Sequence, residues 1–347
     1  MTSAALLSAC GSGSSASSAP SSSAPSSSGT ASATGAFPVT VAHKYGSTTV
    51  RSAPKRVVCV GVSEQDTLLA LGVVPVAVTA YVQGAPGEIY PWAVDKLGSA
   101  PLPKVLDGQK FSIETIAALK PDLILATYSA LTRTQYTQLS ELAPTIAQQK
   151  GTPDFGTPWD VTAQMTADAI GKHEQGKQLV ARVRADLANA KRRHPQFAGK
   201  TAVVATIYDG VYLYAPADAR SVILHQLGFS YPARFQKIGG STSFGGSIST
   251  ERTPEVDFDV VVWLNSRSEV AAKTGGLWGK TQAARQGRGI FIPSAIQDGS
   301  SAKPSLYATA FSLVTPLSIP WLLKRYVPQL AAAVDGRTST KVPTVTT

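Results

Sequence analysis

An α/β fold of two similarly built lobes is what this sequence predicts, and three observations carry the prediction. One phrase is written twice: Ser112-Ile113-Glu114, with Asp122 eight residues after the Glu and then Leu123-Ile124-Leu125-Ala126; and Ser249-Thr250-Glu251, with Asp259 eight residues after the Glu and then Val260-Val261-Val262-Trp263. Short β-branched apolar runs alternate with helical spacings in both halves, the pattern of parallel-sheet units. Between the two series lies one long amphipathic stretch, 158–195, in which Leu179, Val180, Val183 and Leu187 recur at helical intervals among Lys, Arg and Asp. A ligand then has its natural place between the lobes.

Taken in order, ordered sequence begins near Phe37, and 39–50 reads as a hairpin turning at Gly46. A strand over 57–62 comes next, then a helix over 64–71 stopped by Gly72 and a strand over 76–80. The first repeated phrase supplies a helix and a strand, and 134–142 reads as a helix that ends before Pro144. The stretch 158–195 reads as one helix bridging the lobes, with Gly171 and Gly176 as possible breaks and Pro195 as its stop. A second α/β series starts at 201–207 and runs through 222–227, the Glu251 phrase, 281–286 and 290–292, with closing helices over 313–334. The resulting division is 1–36 tether, 37–157 first lobe, 158–195 linking helix, 196–336 second lobe and 337–347 a polar, frayed tail.

With 347 residues, 43% of them hydrophobic, the chain can fill two modest cores. The balance of 32 Lys+Arg against 22 Asp+Glu gives +10, a surface that favours anions. The positive charge is dispersed, so nucleic acid is not an expected partner, and the densest cluster, 191–193, reads as a solvated helix end. Residues 1–42 carry no charged side chain, and 11–35 are Ser, Ala, Gly, Pro and Thr, too little apolar surface to offset ordering entropy. No run of 18 apolar residues exists to span a bilayer. Cys59, inside an apolar run, reads as a buried free thiol.

Ahead of the tether stands Leu7-Ser8-Ala9-Cys10. It resembles the lipobox of bacterial lipoproteins, which implies lipidation of Cys10 and an extracytoplasmic protein anchored to the outer face of the cell membrane. A signal needs a basic n-region and an apolar stretch of roughly 7–15 residues, and only 4–7 precede the box, so the true start is expected upstream.

Several segments, taken in order, resemble iron-siderophore substrate-binding lipoproteins of ABC importers: Ala42-His43-Lys44-Tyr45-Gly46, Pro54-Lys55-Arg56-Val57-Val58, Glu64 through Gly72, Ile113-Glu114 through Leu125, Tyr136 through Thr145, Gly246 through Glu251, and Thr315 through Pro320. The match covers about 38–335. It implies the class III periplasmic binding protein fold, two Rossmann-like lobes joined by one long rigid helix with the ligand cleft between them. It also implies a monomer that is not an enzyme, has no cofactor of its own and carries Fe(III) already chelated. Glu114 and Glu251 match the acids that dock, one per lobe, on permease arginines; each also fits an acid in the first turn of a helix.

Ligands of parallel sheets sit beyond the carboxyl ends of strands. Candidate walls for a bulky chelate are Tyr81, Trp92, Tyr128, Trp159, Tyr212 and Phe244, with Tyr208 at a strand end, and candidate cations are Arg133, Arg234 and Arg267. Arg133 and Trp159 match positions flanking the cleft in the family. Each aromatic has the alternative of core or loop packing. The glycine pairs at 239–240 and 245–246 fit a flexible loop over the mouth or an ordinary surface turn. His43, His173, His194 and His225 are scattered without metal-ligand spacing, so no metal site is expected. Net basicity and the arginines favour an anionic siderophore; haem or cobalamin is the alternative ligand. Gly275 through Thr281 superficially resembles a phosphate loop but is one residue short, leaving a two-lobed transferase the weakest alternative.

Overall fold

The computed structural model describes residues 37–81, 84–108, 112–240, 244–293 and 305–345. Cys10 and the tether therefore lie outside the described residues. In the first lobe β1 (Val39–His43) and β2 (Gly46–Val50) form an antiparallel ribbon whose Val41 and Val50 enter the core. Then come β3 (Val57–Cys59), α1 (Glu64–Ala70), β4 (Ala77–Thr79), α2 (Val94–Leu97), β5 (Lys104–Leu106), α3 (Ile113–Ala118), β6 (Leu123–Ala126), α4 (Arg133–Leu142) and β7 (Thr145–Ala147). The sheet order is β5-β4-β3-β6-β7, parallel throughout. Such strands are covered on both faces, which is why β3 and β6 are unbroken apolar runs and wholly buried.

The second lobe holds β8 (Ala202–Tyr208), β9 (Gly210–Tyr214), α7 (Ala219–Gln226), β10 (Gly245–Ile248), β11 (Val260–Trp263), α8 (Arg267–Lys273), α9 (Gln282–Arg285), β12 (Gly289–Phe291), α10 (Leu306–Ser312) and α11 (Ser318–Val334). Its order is β10-β9-β8-β11-β12, in which β8, β11 and β12 are parallel while β9 and β10 run antiparallel to their neighbours. This hairpin edge is absent from the sequence-based expectation. Side-chain caps start several of the helices: Ser112 on α3, Asp218 on α7, and full capping boxes at Thr132/Gln135 on α4 and Ser266/Glu269 on α8.

The two repeated aspartates do the same job in both lobes. Asp122 accepts the backbone N–H groups of Lys55 and Arg56, both at 2.7 Å. Asp259 accepts Thr201 N–H at 2.8 Å and its hydroxyl at 2.9 Å. Each clasps the entry of the first sheet strand to the start of the neighbouring one.

The stretch expected as a single helix is two, α5 (Trp159–Ala169) and α6 (His173–Arg193), separated at Gly171 with φ +69°. Gly176 is not a break: a Cβ there would come 2.3 Å from Ala167 Cβ, so its role is the close crossing of α6 over α5. Both helices link the lobes. α5 places Trp159 and Ala163 in the second lobe's core and Met165, Ala167 and Ala169 in the first's. α6, 21 residues and roughly 30 Å long at the helical rise, crosses as well. Leu179 packs in the first lobe's core while Val180, Val183, Leu187 and Ala190 pack in the second's, so α6 is held along its length and crosses from one to the other. Lys191, Arg192 and Arg193 occupy its last turn, where cations complement the dipole.

A second join lies at the C-terminal end. Leu313 packs with Val62 and Tyr90, and Leu317 against Leu69, Ile89 and Ala93. Between them the buried Asp66 carboxylate of α1 accepts Thr315 Oγ1 at 2.5 Å and Trp92 Nε1 at 2.8 Å. The tail, expected to fray, instead packs back. Val342 and Val345 lie on the second core, and the Pro343 carbonyl accepts Gln329 Nε2 at 2.7 Å. Two apolar side chains among polar ones suffice to hold it.

Candidate functional site

The strand ends of both lobes meet at a cleft of about 960 Å³. From the first lobe, Val60 and Val62 follow β3, Tyr81 follows β4, and Tyr128 and Ser129 follow β6. From the second, β9 alternates: Val211 and Leu213 point into the core, and Tyr212 and Tyr214 into the cleft. Tyr208 ends β8 and is 80% exposed, and Phe244 stands before β10 at 36%. Gly245 is required by close approach, since a Cβ would fall 2.1 Å from the Leu213 carbonyl oxygen and 2.8 Å from the Tyr212 ring. That glycine pair therefore seats a strand instead of hinging a loop; residues 241–243 lie outside the described residues.

The cleft's cation is Arg220, in the first turn of α7. Its Nη1 donates to both Asp218 oxygens, at 3.1 and 2.9 Å, and its guanidinium lies 4.3 Å over the Tyr214 ring. The two side chains are only 14% and 2% exposed. Burial works against the charge of Arg220, but the Asp218 carboxylate outweighs it, and the guanidinium is held more firmly protonated than usual. Its Nε is buried and has no hydrogen-bond partner among the described residues. Burial, then the Asp218 charge, pushes the Tyr128 phenol up, so it stays a neutral donor.

Two buried carboxylates set the backbone that presents the first lobe's tyrosines. Glu64 Oε1 accepts Thr127 Oγ1 and Tyr128 N–H, both at 2.9 Å, and burial raises its pKa against those bonds. Gly61 makes the room, because a Cβ there would meet the Glu64 carboxylate at 2.0 Å. Glu88 accepts the Tyr90 hydroxyl at 2.7 Å and Tyr81 N–H at 3.3 Å. Glu88 and the cleft residue Phe155 are non-glycines at φ +54° and +52°, a backbone conformation that the surrounding contacts must enforce.

Of the residues proposed from sequence, Tyr81, Tyr128, Tyr208, Tyr212 and Phe244 are brought together on the cleft walls. Five are placed elsewhere, the first being Trp92, which stacks on Tyr90 and donates to Asp66 at the junction between the lobes. Arg133 is exposed at the start of α4, with its guanidinium 4.8 Å over the Tyr45 ring. Trp159 is 6% exposed within the second lobe's core, where its apolar area is best buried. Arg234 lies 5.1 Å over Phe258, and Arg267, first in α8, lies 4.4 Å over Phe291. Stacking on a nearby ring satisfies each of these arginines locally. The sequence reading missed Arg220 and Asp218. Their signal was an Asp N-cap two residues before an Arg, just after the alternating Tyr212 and Tyr214, but it needs the β9 hairpin to be seen.

Glu114 and Glu251 are both exposed, one on each lobe. Glu114 is held below the usual carboxylate range by its own backbone N–H and then by the Ser112 hydroxyl. Among the described residues no group of three or more His, Cys, Asp or Glu could hold a metal ion, and no helix is long and apolar enough to cross a membrane. Cys59 is buried and free.

The sequence model for "Periplasmic binding protein" matches residues 57–296. This chain belongs to that family. A periplasmic solute binding protein from Mycobacterium smegmatis superposes on this binding protein with a TM-score of 0.73 at 33% identity, covering 85% of this chain and 98% of that one. PiaA from Streptococcus pneumoniae, solved in complex with ferrichrome, gives a TM-score of 0.73 at 26% identity over 86% of this chain and all of its own. The Bacillus subtilis protein named "Probable siderophore-binding lipoprotein YfiY" is 27% identical over 263 residues, 72% of this chain and 78% of that protein. The fold is class III, and this periplasmic binding protein holds ligands extracytoplasmically instead of transforming them.

Proposed function

We propose that this binding protein captures a ferric siderophore in the interlobe cleft and delivers it to an ABC permease for iron uptake. The observation that carries this reading is the cleft itself: phenol rings from both lobes line it around one guanidinium, Arg220, that Asp218 holds in place. Rings supply area to the arms of a chelate, while the guanidinium and phenols donate to its oxygens. The ferrichrome complex of the pneumococcal relative and the name of the Bacillus relative support the same ligand class. Iron arrives already chelated, as cargo.

Delivery is assigned to Glu114 and Glu251, whose exposure on separate lobes suits a partner that grips both halves. Attachment to the membrane is assigned to Cys10 through its lipobox, and the protein is taken to act as a monomer. Calorimetric titration with ferrichrome, ferric catecholates, haem and cobalamin tests the ligand class. A ferric siderophore should bind at micromolar Kd or tighter, about −8 kcal/mol or better. Haem or cobalamin binding in its place would overturn the reading. The double variant Glu114→Lys/Glu251→Lys should lose uptake while keeping ligand affinity; unchanged uptake removes the docking role.

A further inference from the structure

The net charge of +10 suggests a trap for anions, yet the cleft is built otherwise. Among the described residues that line it, Arg220 is the only Lys or Arg. Both oxygens of Asp218 already face its Nη1, at 3.1 and 2.9 Å, and the Asp218 side chain is 2% exposed, so the pair is a fixed, internally compensated unit. Asp107 is a second carboxylate on the lining. Arg133, Arg234 and Arg267 stack on Tyr45, Phe258 and Phe291 and are not among the described residues that line the cleft.

We infer that the cleft selects electroneutral ferric chelates of the tris-hydroxamate type over polyanionic ones such as ferric tris-catecholate or ferric dicitrate. Three hydroxamates, each bearing one negative charge, neutralise Fe(III), whereas three doubly charged catecholates leave three negative charges. Among the described lining residues, a polyanion entering this site would meet the Asp218 carboxylate beside the one guanidinium and no second cation to compensate it. A neutral chelate needs hydrogen-bond donors and apolar area without a field. The phenols of Tyr81 and Tyr128 supply donors, and the rings of Tyr81, Tyr128, Tyr212 and Tyr214 supply the area. This inference rests on the ferric-siderophore reading and narrows it by charge.

The test is a calorimetric panel on the intact protein: ferrichrome as the neutral chelate, ferric tris-catecholate and ferric dicitrate as the anionic ones, with haem as an outside reference. Ferrichrome should bind about a hundredfold or more tighter than either anion. In Asp218→Asn the α7 cap acceptor is retained while the compensating charge is removed, and the gap should narrow by about tenfold. A native protein that prefers an anionic ferric chelate overturns the charge inference and leaves the siderophore reading standing. Binding of haem alone overturns both. Should Asp218→Asn fail to fold, salt gives the second reading: ferrichrome affinity should be nearly flat between low and high ionic strength. A steep salt-dependent affinity for the anions, exceeding that for ferrichrome at low salt, sinks the inference.

Discussion

In the first lobe every strand of the five-stranded sheet is parallel, and the cleft wall is made of residues just beyond the strand ends: Tyr81 after β4, Tyr128 after β6. In the second, the wall is made of a strand's own side chains, Tyr212 and Tyr214 on antiparallel β9, with Arg220 at the helix just beyond. The same clasp, Asp122 or Asp259, starts both sheets, so the lobes share a scaffold and differ in how they present a surface. A wall of loop residues must be held by other groups, and Glu64 and Glu88 hold it. A wall on a strand is held by the ladder, with glycines such as Gly210 and Gly245 where the backbones approach closely. The strained backbone at Glu88 and Phe155 falls accordingly on the first lobe's side.

Breaking the second wall has the largest expected effect. Arg220→Ala leaves the Asp218 carboxylate buried without its partner, and unfolding stability should fall by about 3–5 kcal/mol, discounted for the slight exposure of the pair. Chelate binding should be lost with it, both measured on one preparation by denaturant unfolding and calorimetry. Retained binding would transfer the donor role to the phenols.

The junction between the lobes responds to pH. Burial pushes the Asp66 carboxyl up to about 6 against the bonds from Thr315 and Trp92, while the unfolded value is near 3.8. The folded state thus keeps a proton that the unfolded chain has released. The resulting stability is fully present below about pH 4 and lost as pH rises through about 6, up to about 3 kcal/mol in all. Glu64, also raised by burial, acts with the same sign. Melting curves from pH 4 to 7.5 should show this loss in the native protein and a flatter profile in Asp66→Asn.

The two clasps sharpen the likeness between lobes. Asp122→Ala and Asp259→Ala should each destabilise by about 1–3 kcal/mol, the range for lost charge-assisted bonds to backbone N–H groups. Asp259→Ala should stand at the upper end, because it also frees Thr201 Oγ1 and Lys200 Nζ. Equal effects would mean the extra contacts contribute nothing measurable. The smallest change is expected for Arg133→Ala, which removes an exposed stack on Tyr45 and should alter stability by less than about 1 kcal/mol and chelate affinity not at all.

Much of this was legible in residue order. Buried parallel strands announce themselves as apolar runs, glycines and capping residues bracket the helices, and the doubled Glu–Asp phrase revealed two lobes and the exposed acids on each. These signals are local, because propensity, periodicity and capping act within a few residues. Tertiary structure alone decided which arginine enters the cleft. Arg133, Arg234, Arg267 and Arg220 are chemically identical along the chain, and each lies over a ring; only the ring under Arg220, Tyr214, belongs to the cleft wall, where a hairpin no short pattern announced carries it. It also decided the break at Gly171, the packing of the tail and the fate of Trp159, since each depends on which surfaces meet across the fold. Charge obeyed the same rule: the total of +10 is a property of composition, but the field a ligand meets depends on which charges burial brings together, and there an aspartate sits against the arginine.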